Sequence, residues 1–272
     1  MDKINRLIYI YLSSFFNLLS SMLLVYLHLS MSQSFNIKQF QQAIIFENDH
    51  ILAINKPAFV SSIDERQGEA PSILSIARKL YPFITVCHRL DKETSGVMLL
   101  AKDAETYREV SIAFEKRKVE KIYHAVIPSP TNYKEHLVDL PLRETKKNVM
   151  VIDRTGKDAS TVFTTIHNFR HFSLVECRPK TGRMHQIRIH LSASNTPIVG
   201  DVLYGGKKPF LSYVKKKYKQ TKLEEERPMF DRVALHAREI SFQLFEETHH
   251  FIAEYPNDLE VFLKLLYKYD AN

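Results

Sequence analysis

The segment HRLDKETSG, residues His88–Gly96, gathers charged and hydroxyl side chains between the apolar runs FITVC and VMLLA. Within it, Asp91 lies between Arg89 and Lys92. Neighbouring cations favour an ionised carboxylate, which is the form that acts as a nucleophile or a base. A loop between two core strands would also hold that carboxylate rigidly. The same residue types build ordinary tight turns with Arg89 as a surface partner, and the loop alone favours the turn.

The elements around this loop have the pattern of a mixed α/β domain. Apolar and alternating runs predict strands over AIIFEN, ILAINK, FITVC, VMLLA, KIYHAVI, TVFTTIHNF and FSLVECR. Helical spacing predicts helices over SILSIARKL, over AETYREVSIAFEKR with Asp103 as its N-cap, and over PNDLEVFLKLLYKY. The polar stretch RETKKNVMVIDRTGKDAST, with Gly156 at a turn, predicts a hairpin-like insertion. Asp91 is therefore expected in a loop between two buried strands.

A further helix is expected in TGRMHQIRIHLSASNTP. Thr181 can cap its start, and Asn195 suits a left-handed stop before a proline. His185 and His190 lie in this stretch, but they do not have the spacing of a His-Glu-x-x-His zinc site, and no third ligand is apparent. We therefore expect no metal site here.

HRLDKETSG resembles the motif His-Arg-Leu-Asp-x-x-Thr-Ser-Gly of the RluA-type pseudouridine synthases. Four further segments resemble that family in its order: AINKPAFV (Ala53–Val60), EKIYHAVI (Glu120–Ile127), RPKTGRMHQIRIHL with PIVGDVLYG, and ALHA (Ala234–Ala237). Together they span about residues 41 to 254. One departure is the pair Ala58-Phe59, which stands where the family more often has a glycine-containing turn.

The resemblance implies an RNA pseudouridine synthase, an isomerase with a mixed α/β (α+β) fold built on an antiparallel-rich central sheet. The family breaks the N1–C1′ bond of a uridine, rotates the base and rejoins it through C5. No cofactor or metal is implied, because uracil is the leaving group and the nucleophile by turns. Asp91 matches the catalytic aspartate. Two roles stay open for it: covalent addition to the sugar, or removal of a ribose proton to give a glycal.

The same resemblance assigns two more catalytic residues. Tyr123 matches the tyrosine that stacks on the target base and is placed to help remove the C5 proton; the alternative is an ordinary strand aromatic. Arg183 matches the basic residue that pairs with the aspartate, so we expect it to face Asp91 in a basic cleft. A guanidinium can hold a carboxylate in a bidentate grip. The alternative for Arg183 is a phosphate contact or a surface charge.

RNA contacts are expected from the other residues of these motifs. Arg89 matches the arginine that enters the RNA stack where the target base has been flipped out, since C1′ and C5 cannot be handled inside a stacked helix. The remaining motif residues are expected to shape the loop or to contact the RNA. They are His88, Thr94, Lys56, Lys121, His185, Gln186 and Arg188.

The charge balance fits a polyanionic partner. Lys and Arg number 38 against 31 Asp and Glu, a formal net charge of +7, which suits nucleic acid or an anionic membrane surface. A lysine cluster with interleaved aromatics, the basic excursion KKPFLSYVKKKYKQTKLEEERP of residues 207–228, is our first candidate for an added RNA surface. Its lysines are Lys207, Lys208, Lys215, Lys216, Lys217, Lys219 and Lys222. The alternative is a solvated face balanced by Glu224–Glu226.

The predicted organisation is an apolar extension over residues 1–30 and a catalytic domain over residues 31–272. Leu7–Leu29 is long enough to cross a bilayer, so it is either a membrane anchor or an extension ahead of a true start at Met31. We favour the second and expect a stand-alone form without an S4-type domain. Cys87 and Cys177 fit buried thiols in a reducing cytosol, hence a cytoplasmic protein.

The resulting hypothesis is an enzyme that modifies structured rRNA or tRNA without an obligate protein partner or small-molecule cofactor. A non-catalytic RNA-binding relative is the first alternative, and a membrane-tethered protein is the second. The simultaneous presence of Asp91, Tyr123 and Arg183 favours the enzyme.

Overall fold

The computed structural model describes residues 35–65, 70–128, 130–146, 149–215, 217–218 and 225–271. Ile37–Asn272 separates as one compact unit. The expected boundary between residues 30 and 31 and the apolar segment Leu7–Leu29 lie outside the described residues. Among the residues that are described, no helix is both long enough and apolar enough to span a bilayer.

A ten-stranded mixed sheet forms the centre of the molecule. Its strands are β1 Ile44–Glu47, β2 Ile51–Lys56, β3 Thr85–Val86, β4 Ser95–Ala101, β5 Glu120–Pro128, β6 His136–Asp139, β9 Ser160–Asn168, β10 Phe172–Pro179, β11 Leu235–Leu244 and β12 Glu247–Ile252. The strand order is β1-β2-β4-β11-β5-β10-β9-β6, with β3 beside β4 and β12 beside β11. β4 and β11 are parallel, and the other described pairs are antiparallel. The expected antiparallel-rich sheet is confirmed.

Six α-helices and one 3-10 helix, Val202–Tyr204, accompany the sheet among the described residues. The α-helices are α1 Ile37–Gln42, α2 Ile73–Ala77, α3 Ala104–Glu115, α4 Gln186–Ala193, α5 Leu211–Val214 and α6 Asn257–Tyr269. α3 begins at the predicted cap, where Asp103 Oδ1 accepts from Thr106 N at 2.8 Å. α2 and β3 are shorter than SILSIARKL and FITVC predicted, because turns follow Ala77 and surround Thr85–Val86.

Two apolar clusters cover the sheet. All seven residues of β4 are buried, as expected for a strand with both faces covered. In one cluster Val110 of α3 packs with β2, β4 and β11. In the other, Ile187 and Leu191 of α4 join the apolar face of α6 and strands β5 and β10. The helix predicted over PNDLEVFLKLLYKY is confirmed as α6, which buries Leu259, Phe262, Leu263 and Leu266.

The predicted start of α4 was wrong. Thr181 does not cap a helix: α4 begins at Gln186, and His185 precedes it with a φ of 53°. The Thr181 hydroxyl instead donates to Gln186 Oε1 at 2.6 Å, and Arg183 N donates to the same oxygen at 3.0 Å. These two hydrogen bonds to Gln186 therefore stabilise the irregular segment 181–185, which the sequence predicted to be helical. The left-handed stop at Asn195 is confirmed by its φ of 58°.

The insertion after β6 carries a second, two-stranded sheet made of β7 Leu142–Glu144 and β8 Met150–Ile152. Gly156 lies in the turn that follows, where its N–H donates to Asp153 O at 2.9 Å. The hairpin-like insertion is therefore confirmed. In the basic excursion, Lys208 pairs with Asp231 and Lys215 lies over the Tyr269 ring. Lys216, Lys219 and Lys222 lie outside the described residues.

Candidate active site

The loop that carries Asp91 joins β3 to β4 and is fixed on both sides. The Ser62 hydroxyl donates to Leu90 O at 2.8 Å and accepts from Leu90 N at 3.1 Å. Thr94 N donates to Asp91 O at 3.0 Å and closes the turn. Leu90 and Thr94 are buried. These bonds leave Asp91 on a rigid turn with its side chain 29% exposed.

Ser95 and Gly96 attach the end of this loop to β11. The Ser95 hydroxyl lies 2.9 Å from His236 Nδ1, and His236 Nε2 lies 3.1 Å from Ala253 O. Since a carbonyl only accepts, Nε2 of His236 carries the proton and Nδ1 accepts from Ser95. Gly96 has a φ of 118°, and a Cβ there would lie 2.2 Å from Ala237 O. Only glycine allows the two strands to approach this closely.

A buried arginine holds the loop from the other direction. Arg232 forms two hydrogen bonds with the carboxylate of Asp258, at 2.7 and 3.0 Å. It also donates to Glu93 O at 3.0 Å and to Ser95 Oγ at 3.3 Å. The Arg232 guanidinium therefore anchors the backbone on the C-terminal side of Asp91, and the carboxylate of Asp258 neutralises its charge.

Lys56 is fully buried, which contradicts its predicted contact with RNA. Its ammonium donates to the carbonyls of Pro57, Val60 and Lys92 at 2.9, 2.8 and 3.3 Å. Burial lowers its pKa to about 7, while Asp91 raises the value and Arg232 lowers it. Lys56 thus joins the turn after β2 to the residue that follows Asp91, and it cannot reach a phosphate.

Arg188 is the cation that the structure brings to Asp91. Its Nη1 lies 3.3 Å from Asp91 Oδ2, while Nε and Nη2 donate to Asp201 at 2.7 and 2.9 Å. Burial lowers the pKa of Arg188, but Asp201 and then Asp91 raise it, and the net direction is upward. The Asp201 side chain is 0% exposed and Asp91 is 29% exposed, so of these two carboxylates only Asp91 is open to a substrate.

The predicted ion pair between Arg183 and Asp91 was wrong. Arg183 lies in the irregular segment before α4, and its Nε donates to the backbone carbonyl of Asp158 at 3.0 Å. Arg188, which we expected to contact RNA, lies in the first turn of α4 and takes that position instead. The expectation for Arg183 came from matching its position to the family motif, and the motif residue that contacts Asp91 is Arg188, five residues further on.

His185 is the second side chain beside the carboxylate, although we expected it at the RNA. Its Nε2 lies 3.7 Å from Asp91 Oδ2, and its Nδ1 lies 2.9 Å from the Tyr204 hydroxyl. That hydroxyl accepts from Met150 N at 3.1 Å, so its own proton is available for Nδ1. Nε2 then carries the imidazole proton and faces Asp91. Burial lowers the pKa of His185, which favours this neutral form.

Tyr123 lies on β5, two strands away from β4, in register with the start of β4 where the Asp91 loop ends. Gly96 pairs with Ala237, Ala237 with Tyr123, and Tyr123 with Cys177. Paired residues project on one face, so Tyr123 belongs to the face next to the loop. Burial raises the pKa of Tyr123, and the charge of Asp91 raises it further. The phenol is therefore protonated at neutral pH.

Two of the other motif residues, His88 and Thr94, shape the loop, which is one of the two roles expected for them. His88 Nε2 accepts from Leu99 N at 3.1 Å, so that nitrogen is unprotonated, and burial together with Lys121 lowers the His88 pKa to about 3. Thr94 is buried and closes the turn, which excludes a phosphate contact through its side chain. Arg89 is exposed and Lys121 is partly buried, and their RNA contacts stay predictions.

Three residues of this site were not identified from the sequence: Asp201, Tyr204 and Arg232. The signal for the first two was present, because both stand in the segment PIVGDVLYG. Arg232 had no such signal, since its contacts to Asp258 and Glu93 bridge segments that are distant in sequence.

His185 and His190 both bind other groups of the protein. Both ring nitrogens of His190 are engaged, Nδ1 with Thr161 Oγ1 at 2.9 Å and Nε2 with Leu140 O at 3.1 Å. Across the part of the chain that the structure describes, no three His, Cys, Asp or Glu side chains are grouped to hold a metal ion. Cys87 and Cys177 are free thiols, and burial raises the pKa of Cys87 to about 12.

Comparisons with known proteins identify the family to which the chain is similar. A family model described as RNA pseudouridylate synthase matches residues 50–193. The dual-specificity RNA pseudouridine synthase RluA of Vibrio parahaemolyticus is 35% identical over 211 residues, which cover 73% of this chain and 76% of that protein. The ribosomal large subunit pseudouridine synthase C of Vibrio vulnificus is 33% identical over 63% of this chain, and the chain spans only 56% of its length.

Among solved structures, human RNA pseudouridylate synthase domain containing 4 is similar with a TM-score of 0.65 and 25% identity, covering 85% of this chain and 95% of that one. The fold, the matched region and the relatives point to the same conclusion. The chain belongs to the RNA pseudouridylate synthase family.

Proposed function

We propose that the protein converts uridine into pseudouridine at specific positions of structured rRNA or tRNA, with Asp91 as the carboxylate that acts at C1′. One observation carries this proposal: Asp91 is the exposed member of a three-residue array in which Arg188 bridges it to the buried Asp201. A fixed guanidinium favours a negatively charged partner and keeps its direction constant. This is what a carboxylate needs in order to act on a sugar carbon.

The reaction breaks the N1–C1′ and C5–H bonds and forms the C1′–C5 and N1–H bonds, so the proton lost at C5 is balanced by the proton gained at N1. Asp91 serves the sugar carbon in both open mechanisms, either as a nucleophile or as a base for a ribose proton. Uracil leaves and returns, so no cofactor takes part in this scheme. Arg188 and His185 both lie against Oδ2 of the carboxylate, at 3.3 and 3.7 Å, and keep its direction constant.

Tyr123 contributes its aromatic ring for stacking on the uracil and does not act as a proton acceptor. It stands on the face of the sheet next to the loop, which suits stacking on the uracil. Its raised pKa keeps the phenol protonated at neutral pH, so it does not accept the C5 proton in its resting state. Arg89, which is exposed on the same loop, fills the place that the flipped base leaves in the RNA.

The choice of RNA follows from the relatives and the charge. Relatives of this chain are named for the large ribosomal subunit or for dual specificity, and the net charge of +7 suits a polyanion. A cytoplasmic location fits two free thiols and an RNA substrate.

Site-resolved pseudouridine mapping of total RNA from cells with and without the gene tests this function. We expect one or a few uridines in rRNA or tRNA to lose modification when the gene is absent and to regain it when the gene is restored. An unchanged pseudouridine map in all RNA would contradict the proposal.

A further inference from the structure

Phe59 has a backbone conformation that its side chain does not favour. Its φ is 65°, in the left-handed region where glycine is preferred because a β-carbon crowds the backbone. The turn after β2 thus keeps the shape of a glycine-containing turn while it carries a large aromatic ring. A phenylalanine gains nothing locally from this φ, so the reason for the ring must lie elsewhere.

The core does not provide that reason. The side chain of Phe59 is 59% exposed. Burial of apolar surface is what normally offsets an unfavourable backbone at an aromatic residue. Phe59 therefore has a strained backbone that burial of its ring does not offset, and the ring stays accessible to solvent.

The position of Phe59 is fixed relative to Asp91. Phe59 N donates to Lys92 O at 2.7 Å, and Lys56 donates to the same carbonyl at 3.3 Å. Lys92 is the residue after Asp91, so one carbonyl joins the aromatic turn to the loop of the candidate catalytic carboxylate. Arg89, on the other side of Asp91, is exposed.

We propose that Phe59 is a stacking platform for an unpaired nucleotide of the substrate RNA next to the target uridine. An exposed ring on a rigid backbone is the group on which bases stack, and such stacking does not depend on the base. The exposed Arg89 of the Asp91 loop adds positive charge to this part of the surface, which favours RNA over an apolar protein partner. This inference rests on the proposed function, because the RNA is the substrate of the neighbouring site.

Photo-crosslinking tests the contact without using catalysis. The variant Phe59→p-benzoylphenylalanine is irradiated with total RNA from cells that lack the gene. The matched control is Phe83→p-benzoylphenylalanine, since Phe83 is 86% exposed and precedes Thr85, which pairs with Ala101 at the end of β4 remote from Gly96. We expect the Phe59 variant to crosslink to RNA several-fold more than the control. Equal yields from the two variants would overturn the proposal.

Activity gives the second test. Phe59→Gly removes the ring and suits the positive φ, so we expect an unchanged or higher Tm together with a kcat/KM lowered about 5- to 100-fold on that RNA. Phe59→Tyr should retain most of the activity, and Phe83→Gly should leave it within about twofold of wild type, because the distant ring makes no stacking contact. A wild-type kcat/KM in Phe59→Gly would contradict the platform.

The two proposals fail in different ways. If the wild-type protein forms no pseudouridine but the Phe59 variant crosslinks to RNA several-fold more than the Phe83 variant, the proposed function is wrong and the RNA platform is retained. If pseudouridine forms and Phe59 neither crosslinks nor affects kcat/KM, the platform is wrong and the function is retained.

Discussion

Nη1 of Arg188 lies 3.3 Å from Oδ2 of Asp91, while Nε and Nη2 of the same guanidinium bind Asp201. The buried Asp201 fixes the arginine, and the arginine in turn fixes the direction of the exposed carboxylate. A guanidinium can bridge two carboxylates through separate N–H groups, whereas an ammonium presents a single charged centre. The fixed direction of the Asp91 carboxylate therefore depends on an arginine at position 188 and on its contact with Asp91.

The first prediction compares two arginine-to-lysine variants. Arg188→Lys retains the charge but loses the bridge, so we expect kcat to fall about 10- to 100-fold while the Kd for RNA stays within about threefold. Arg183→Lys is the matched control and should stay within about threefold in both, because Arg183 bonds the Asp158 carbonyl. Single-turnover kinetics and filter binding measure these values. A larger loss of kcat in Arg183→Lys than in Arg188→Lys would contradict the assignment.

The second prediction concerns Tyr204→Phe. The ring and its contact with the Arg188 guanidinium at 5.1 Å are retained, but His185 Nδ1 loses its hydrogen-bond partner. We expect kcat to fall about 3- to 10-fold, with a loss of stability of about 1 kcal/mol. Nitrogen NMR of His185 should show Nε2–H in the wild type and a mixture of tautomers in the variant. An unchanged tautomer together with unchanged kcat would exclude this arrangement.

The third prediction separates a structural lysine from a phosphate contact. Lys56→Met removes the donor of the Pro57 and Val60 carbonyls and one of the two donors of Lys92 O, so we expect the free energy of unfolding to fall by about 2–4 kcal/mol. The slope of log K against log salt for RNA binding should not change, because no phosphate contact is removed. Lys207→Met, at an exposed lysine, is the control and should leave the stability unchanged. A reduced salt slope with unchanged stability in Lys56→Met would restore its RNA role.

The strands and helices near the site were predictable because their apolar spacing is regular. β4 and α3 follow from such patterns, and Asp103 caps α3 through a local bond. We predicted the start of α4 too early, because Thr181 is a residue type that often caps a helix. In the structure its hydroxyl donates instead to the buried Gln186 side chain. Local residue types could not reveal that competition.

The same limit explains the missing parts of the site. The contact of Arg188 with Asp91 joins residues 97 apart in the chain, and the contact of Arg232 with Glu93 joins residues 139 apart. Such pairs depend on strand order, which the sequence pattern did not determine. The loop around Asp91 was located correctly because its two flanking strands are apolar, and the catalytic roles of Asp91 and Tyr123 stay predictions.

The fourth prediction concerns stability in acid. Burial lowers the pKa of His88 to about 3 and the pKa values of His124 and His236 to about 4. Since a histidine in the unfolded chain titrates at about pH 6.5, the unfolded state binds more protons between pH 6.5 and about 4. The free energy of unfolding should therefore fall as the pH is lowered through this window and be fully present above it.

His236 offers the cleanest variant for this effect, because it is completely buried. His236→Gln should lower the slope of unfolding free energy against pH by at most about 1.4 kcal/mol per pH unit. Urea titrations from pH 7 to pH 5 measure the slope, and equal slopes for wild type and His236→Gln would contradict the buried neutral imidazole.

The most direct test of the central claim is the formation of pseudouridine by Asp91→Asn. The substitution keeps the shape of the side chain and removes its negative charge, so the RNA should still bind with a Kd within about threefold of wild type. With purified protein and total RNA from cells that lack the gene, site-resolved mapping should find no conversion by the variant at the uridine that the wild type modifies. Conversion by Asp91→Asn at the wild-type rate would contradict the assignment of Asp91 as the catalytic carboxylate.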